Sequence, residues 1–124
     1  MTPSDDLTRR QCVPCEGGID PLDPAAAASL LGQVAGWAAV AGGRAIRREW
    51  TARNFASAVH FLDEVAALAE AEGHHPDFHL TGYRQVAIEL TTHAVGGLTE
   101  NDFILAAKID AIPIEIKTPK SATT

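Results

Sequence analysis

A chain of 124 residues is long enough for one hydrophobic core and too short for two. Its composition, 46% hydrophobic, 21% charged and 6% aromatic, is that of an ordinary globular domain, and a net charge of -6 with a pI near 5.2 argues against a nucleic-acid backbone as the main partner. No apolar run approaches the roughly 18 residues of a membrane span, and no charged start leads into an apolar secretory segment, so the cytoplasm is the expected compartment.

The opening MTPSDDLTRR and the closing TPKSATT are polar and expected to fray. The expected organisation is an N-terminal segment over 1–18, a folded domain over 19–113 and a flexible tail over 114–124. Within the first segment stands a lone pair of thiols, Cys12-Val-Pro-Cys15. Zinc requires four ligands, and no second CxxC is present. A redox CxxC opens a helix after a strand, whereas this one precedes Glu16-Gly17-Gly18, which reads as loop. A structural or incidental pair is expected, with a metal or redox role as the alternative.

Asp23-Pro24 starts the first helix: Asp23 can cap free amides and Pro24 suits the first turn. The helix is expected to run to about Ala35 and to end at Gly36. Trp37 to Val40 and Arg44 to Thr51, separated by Gly42-Gly43, read as two short strands around a glycine turn. Asn54 caps a long helix from Phe55 to about Glu72, stopped by Gly73. Phe55, Val59, Leu62, Ala66 and Ala69, joined by Ala58 and Val65, follow the helical period and form its expected core face. A short strand is expected at Phe78 to Leu80 and a longer one from Arg84 to His93. In the longer one Val86, Ile88, Leu90 and Thr92 share one face, while Ala87, Glu89, Thr91 and His93 share the other. Thr99-Glu100-Asn101-Asp102 has the form of a capping box and opens a last helix through Ile109. Adjacent short strands with tight turns, alternating with helices, predict an α+β fold: an antiparallel sheet with helices on one face.

Four of the five histidines, His74, His75, His79 and His93, fall between residues 70 and 93. Pro76 holds His75 extended beside the end of the long helix, so the pair can reach over the open sheet face towards His93. Histidine titrates near neutrality, which suits proton transfer. Metal binding is the competing function, with Glu70, Asp77 and Glu89 as possible co-ligands, although adjacent histidines on an extended segment point to opposite sides. A purely structural cluster is the third possibility. His60 reads as a helix-surface residue and His79 as a strand residue. Glu70 lies four residues before His74 and can orient an imidazole. Asp102 is either the capping-box acid or part of the site.

Glu70, three residues, His74-His75-Pro76, six residues, Tyr83, nine residues, His93, eight residues and Asp102 together resemble the signature of the pterin-4a-carbinolamine dehydratase family. The similarity continues through Gly97 to Ile109, reaches back to Gly36-Trp37, and covers about residues 7 to 112. The resemblance implies a four-stranded antiparallel sheet with helices packed on one face, assembled into dimers or tetramers. It implies dehydration of 4a-hydroxytetrahydropterin to quinonoid dihydropterin with neither metal nor organic cofactor. In that scheme His74 and His93 carry the acid–base work and His75 positions or shares in it. Glu70 and Asp102 orient imidazoles or hold the pterin. Pro76, Asp77, Tyr83 and Trp37 stand at substrate-side positions, the two aromatics being equally suited to packing alone. Cys12-Val-Pro-Cys-Glu-Gly-Gly, Glu72-Gly-His-His-Pro-Asp-Phe-His-Leu and the helix from Thr99 are similar to one branch of the family, the RuBisCO assembly factors of chloroplasts and α-carboxysome gene clusters. That likeness implies the RuBisCO large subunit as an alternative partner and a binding role with little or no dehydratase activity.

Overall fold

A computed structural model describes residues 7–13 and 20–116; Pro14 and Cys15, and with them half of the CxxC, lie outside the described residues. Helix α1 covers Pro24–Leu31, followed by β1 (Ala38–Val40), β2 (Ala45–Thr51), α2 (Phe55–Glu72), β3 (Asp77–Thr81), β4 (Gln85–Leu90) and α3 (Glu100–Asp110). The strands form one antiparallel sheet in the order β1-β2-β4-β3. The α+β architecture expected from the sequence is the one found.

Each helix starts at its expected cap. Asp23 accepts the amide of Ala26, Asn54 forms a reciprocal capping box with Ser57, and Thr99 forms one with Asp102. The first helix ends sooner than expected, at Leu31 rather than Ala35. Gly32 is a poor propagator, and the chain then turns so that Val34 and Trp37 are buried in the core.

Register places Ile46, Arg48 and Trp50 of β2 opposite Leu90, Ile88 and Val86 of β4. This face meets the helices: Ile46, Val86, Ile88 and Leu90 pack with Phe61 and Val65 of α2 and with Phe103, Leu105 and Ile109 of α3. The opposite face carries the polar partners Arg47, Glu49, Glu89 and His79. The core face of α2 differs from the expectation. Ala58, Phe61, Val65 and Ala69 are buried, whereas Phe55 and Val59 remain 55% and 44% exposed. A helix apolar around much of its circumference has no unique stripe, and the Phe61 ring, 5.0 Å from Trp50, decides which side turns inward.

Ordered structure extends beyond 19–113 at both ends. Leu7 is fully buried in the core, and Ile116 bridges Ala52 while the Arg53 amide donates to the Glu115 carbonyl at 2.8 Å.

Candidate acid–base site

The site forms where α2, β4 and α3 end or begin near one another. Gly73 caps α2 in the left-handed conformation, φ 69°, and both its amide and that of His74 bond to Ala69 O. The chain therefore leaves the helical spiral before His74, and the i,i+4 geometry expected between Glu70 and His74 is lost. Glu70 instead hydrogen-bonds His75 Nε2. His74 turns towards α3, where its Nε2 lies 2.6 Å from Asp102 Oδ1.

His93 also departs from expectation. Strand β4 stops at Leu90, opposite Ile46 near the start of β2. Thr92 makes a single bridge to Gly97, and His93–Val95 form a 3₁₀ turn capped by Gly96. His93 thus owes its place to this turn and not to strand alternation. The histidines meet at the end of the sheet beside the helix termini, not across its open face.

Asp102 is fully buried; it is the capping-box acid and it also pairs with His74. Its Oδ2 accepts the Thr99 amide and the Thr92 hydroxyl, each at 2.9 Å, and Thr92 Oγ1 lies 2.7 Å from Thr99 Oγ1. Because the Thr92 hydrogen goes to the carboxylate, Thr99 is the donor in that hydroxyl pair. A carboxylate oxygen accepts, so the hydrogen of this contact is assigned to His74 Nε2, which in the neutral ring leaves the lone pair on Nδ1. The His74 side chain is 11% exposed, enough to reach a ligand while its partner stays dry. Thr92 and Thr99 were not singled out as site residues, although the capping-box spacing and a hydroxyl on the core face of a strand pointed to them.

His74, His75 and His93, with Val13, Thr92 and Asn101, line a cavity of about 200 Å³. A cavity of about 250 Å³ between α1 and the sheet is lined by Leu22, Ala27, Leu31, Ile46, Leu98 and Phe103 among others and offers no titratable group. Of these two cavities, the one lined by the histidines is the one that carries titratable side chains. Among the described residues, no group of three or more His, Cys, Asp or Glu side chains converges as a metal site.

Trp37, Tyr83, Asp77 and Pro76 are not among the residues that line the histidine cavity. Trp37 is buried, its indole donating to Asp110 at 3.0 Å and packing edge-on to Trp50. Burial raises the Asp110 pKa, with Trp37 and Arg48 opposing the shift. Tyr83 is exposed at the β3–β4 turn, where it takes a positive φ of 56°. Asp77 opens β3 in register with Glu89, and Pro76 joins His75 to that strand. His79 lies on the open sheet face, 3.4 Å from Glu89, away from the other three histidines. His60 is a helix-surface residue paired with Glu64 at 3.2 Å.

Two residues not anticipated from the sequence, Glu72 and Asn101, anchor the Cys12–Val13 segment beside the cavity. Glu72 accepts the Cys12 amide at 2.8 Å and the Lys108 ammonium at 2.7 Å. Burial opposes ionisation of Glu72, but these donors outweigh it and hold its pKa below the ordinary 4.5. The neighbouring Cys12 thiol is pushed up to about 12, first by burial and then by the Glu72 charge. Asn101 pairs with the backbone of Val13.

These features define a class: an α+β domain whose helix ends converge on an imidazole–carboxylate pair with two further histidines. Comparison with known proteins then identifies the family. The family model for pterin 4 alpha carbinolamine dehydratase matches residues 20–112. The mitochondrial pterin-4-alpha-carbinolamine dehydratase 2 of Arabidopsis thaliana is 45% identical over 113 residues, 89% of this chain, which spans 60% of the plant protein's length. A protein of Halorhodospira halophila, provisionally named pterin-4-alpha-carbinolamine dehydratase, is 47% identical over 86% of this chain and 96% of its own. Among solved structures, the transcriptional coactivator/pterin dehydratase of Brucella melitensis superposes with a TM-score of 0.69 at 33% identity, covering 74% of this chain and 97% of its own. A pterin dehydratase-like protein described as a RuBisCO assembly factor in the α-carboxysome gives 0.51 at 28% identity, over 60% and 86% of the two chains. The chain belongs to the pterin 4 alpha carbinolamine dehydratase family.

Proposed function

We propose that this protein dehydrates 4a-hydroxytetrahydropterin to quinonoid dihydropterin by histidine acid–base catalysis. The observation that carries this is the His74–Asp102 pair opening onto a cavity shared with His75 and His93. Breaking the C4a–O bond requires a proton on the departing oxygen, which leaves as water, and loss of a proton from a ring nitrogen. His74, with its lone pair on Nδ1, is suited to take one proton. His93, which lines the same cavity, delivers the other, and His75, hydrogen-bonded to Glu70, shares the relay or holds the pterin. Asp102 keeps His74 in the working tautomer and orients its ring. None of these steps requires a metal or an organic cofactor. The test is stopped-flow loss of synthetic 4a-hydroxytetrahydropterin. Wild type is expected to outpace a His74→Ala/His93→Ala double variant by about 10²-fold or more; equal rates would end the proposal.

The structural likeness to a RuBisCO assembly factor favours a second reading, in which the same fold binds the RuBisCO large subunit. Co-purification with that subunit, or raised RuBisCO yield on co-expression, is its expected result; failure of both removes it. Either role is proposed for a cytoplasmic or carboxysome-associated dimer or tetramer. Light scattering after size exclusion reads the assembly, and a monomer at micromolar concentration would contradict it.

A further inference from the structure

Asn101 has no part in the proton transfer, yet it is buried and both ends of its carboxamide engage one residue distant in sequence. Its Oδ1 accepts the amide of Val13 at 3.0 Å and its Nδ2 donates to the Val13 carbonyl at 2.6 Å, much as a neighbouring strand would pair. One residue earlier, the Cys12 amide is held by Glu72, and Cys12 Sγ lies 3.6 Å from the Asn101 carbonyl. The segment is thereby tied to the end of α2 and the first turn of α3, the two places that supply His74 and its carboxylate. Val13 nevertheless remains 63% exposed, at the rim of the cavity lined by His74, His75 and His93.

We propose that Cys12–Val13 is a strap whose valine side chain forms the outer wall of the histidine cavity, and that Asn101 is the residue positioning it. The pterin reading enters only as the identity of the ligand; the wall stands on the geometry. A strap that merely covered helix ends would be indifferent to the Val13 side chain, because the clamp runs through the Val13 backbone. A wall would not be.

The experiment uses the full chain with Val13→Ala and Asn101→Ala. Removing two methyl groups from a ligand contact raises KM for 4a-hydroxy-6-methyltetrahydropterin by about fivefold, with kcat within about twofold of wild type and Tm unchanged. Asn101→Ala raises KM similarly and lowers Tm as well. In parallel, carbethoxylation of His74 by diethyl pyrocarbonate is followed by peptide mass spectrometry, with the exposed His60 as internal reference. Labelling of His74 relative to His60 is expected to rise about threefold or more in both variants. If wild type turns over and Val13→Ala alters neither KM nor His74 labelling, the wall is refuted. If wild type does not turn over, the dehydratase reading fails by itself, and labelling decides: faster modification upholds the wall, unchanged modification overturns it.

Discussion

Replacing Asp102 with Asn tests the site at its least exposed point. The carboxylate accepts from His74 Nε2 at 2.6 Å and from Thr92 Oγ1 and the Thr99 amide at 2.9 Å. An amide of the same shape keeps one acceptor and gains an NH₂ group. If its oxygen stays with Thr92 and Thr99, its N–H confronts His74 Nε2, which must give up its hydrogen and accept. The ring hydrogen then moves to Nδ1, and His74 presents the cavity with a donor in place of a lone pair. Charge-assisted bonds become neutral ones, at a combined cost of about 2 kcal/mol, which lowers Tm by roughly 8 °C at this chain length. Loss of a working base lowers kcat by about 10²–10⁴-fold; the same tautomer reversal in a serine-protease triad costs about 10⁴. Stopped-flow turnover gives kcat, and long-range ¹H–¹⁵N correlation on labelled protein reads the tautomer directly. Should the variant keep its hydrogen on Nε2 and a kcat within about threefold of wild type, the assigned role of Asp102 is wrong.

Glu72→Gln is expected to destabilise the protein near neutrality and much less in acid. The folded pKa of Glu72 lies below 4.5, so its contribution is complete above that value and is lost as pH falls through the folded value. Melting curves of both proteins between pH 7 and about 3 should therefore converge, and a constant gap would contradict the linkage. Cys12, pushed from 9.0 to about 12, holds about 10³-fold less thiolate than an ordinary thiol. In a Cys15→Ser background its alkylation by iodoacetamide at pH 8 should be slower by about 10²-fold or more than that of a free peptide thiol; comparable rates would show that burial does not govern it. Tyr83→Asn should raise Tm by a few degrees, since Asn tolerates the left-handed backbone at φ 56° better than Tyr by up to about 1 kcal/mol. A fall in Tm would show that the ring, stacked 5.3 Å from the Arg84 guanidinium, stabilises more than the backbone costs.

The helix starts were legible because capping is local: Asp23, Asn54 and Thr99 each bond amides two or three residues on, so the pattern contains the partner. The helix-facing side of β4 was legible for a similar reason, since alternation along one strand sets Val86, Ile88 and Leu90 together. The face of α2 was not, because Phe55, Val59 and Phe61 are all apolar and only packing against Trp50 chooses among them. Likewise Glu70 was assigned to His74 by helical spacing, a rule that lapses once Gly73 turns the chain.

What the sequence determined by itself was the set of elements and the antiparallel α+β class, since each follows from hydrogen bonding and periodicity within a few positions. The spacing from Glu70 to Asp102 went further and pointed to the family that the comparisons then showed. Tertiary structure alone decided the pairings: His74 with Asp102 across 28 residues, and Val13 with Asn101 across 88. The pairings between distant residues depend on which surfaces pack and where each strand ends. Neither quantity is written in any local pattern, so the tautomer of His74 and the strap over its cavity emerge only when the chain has folded.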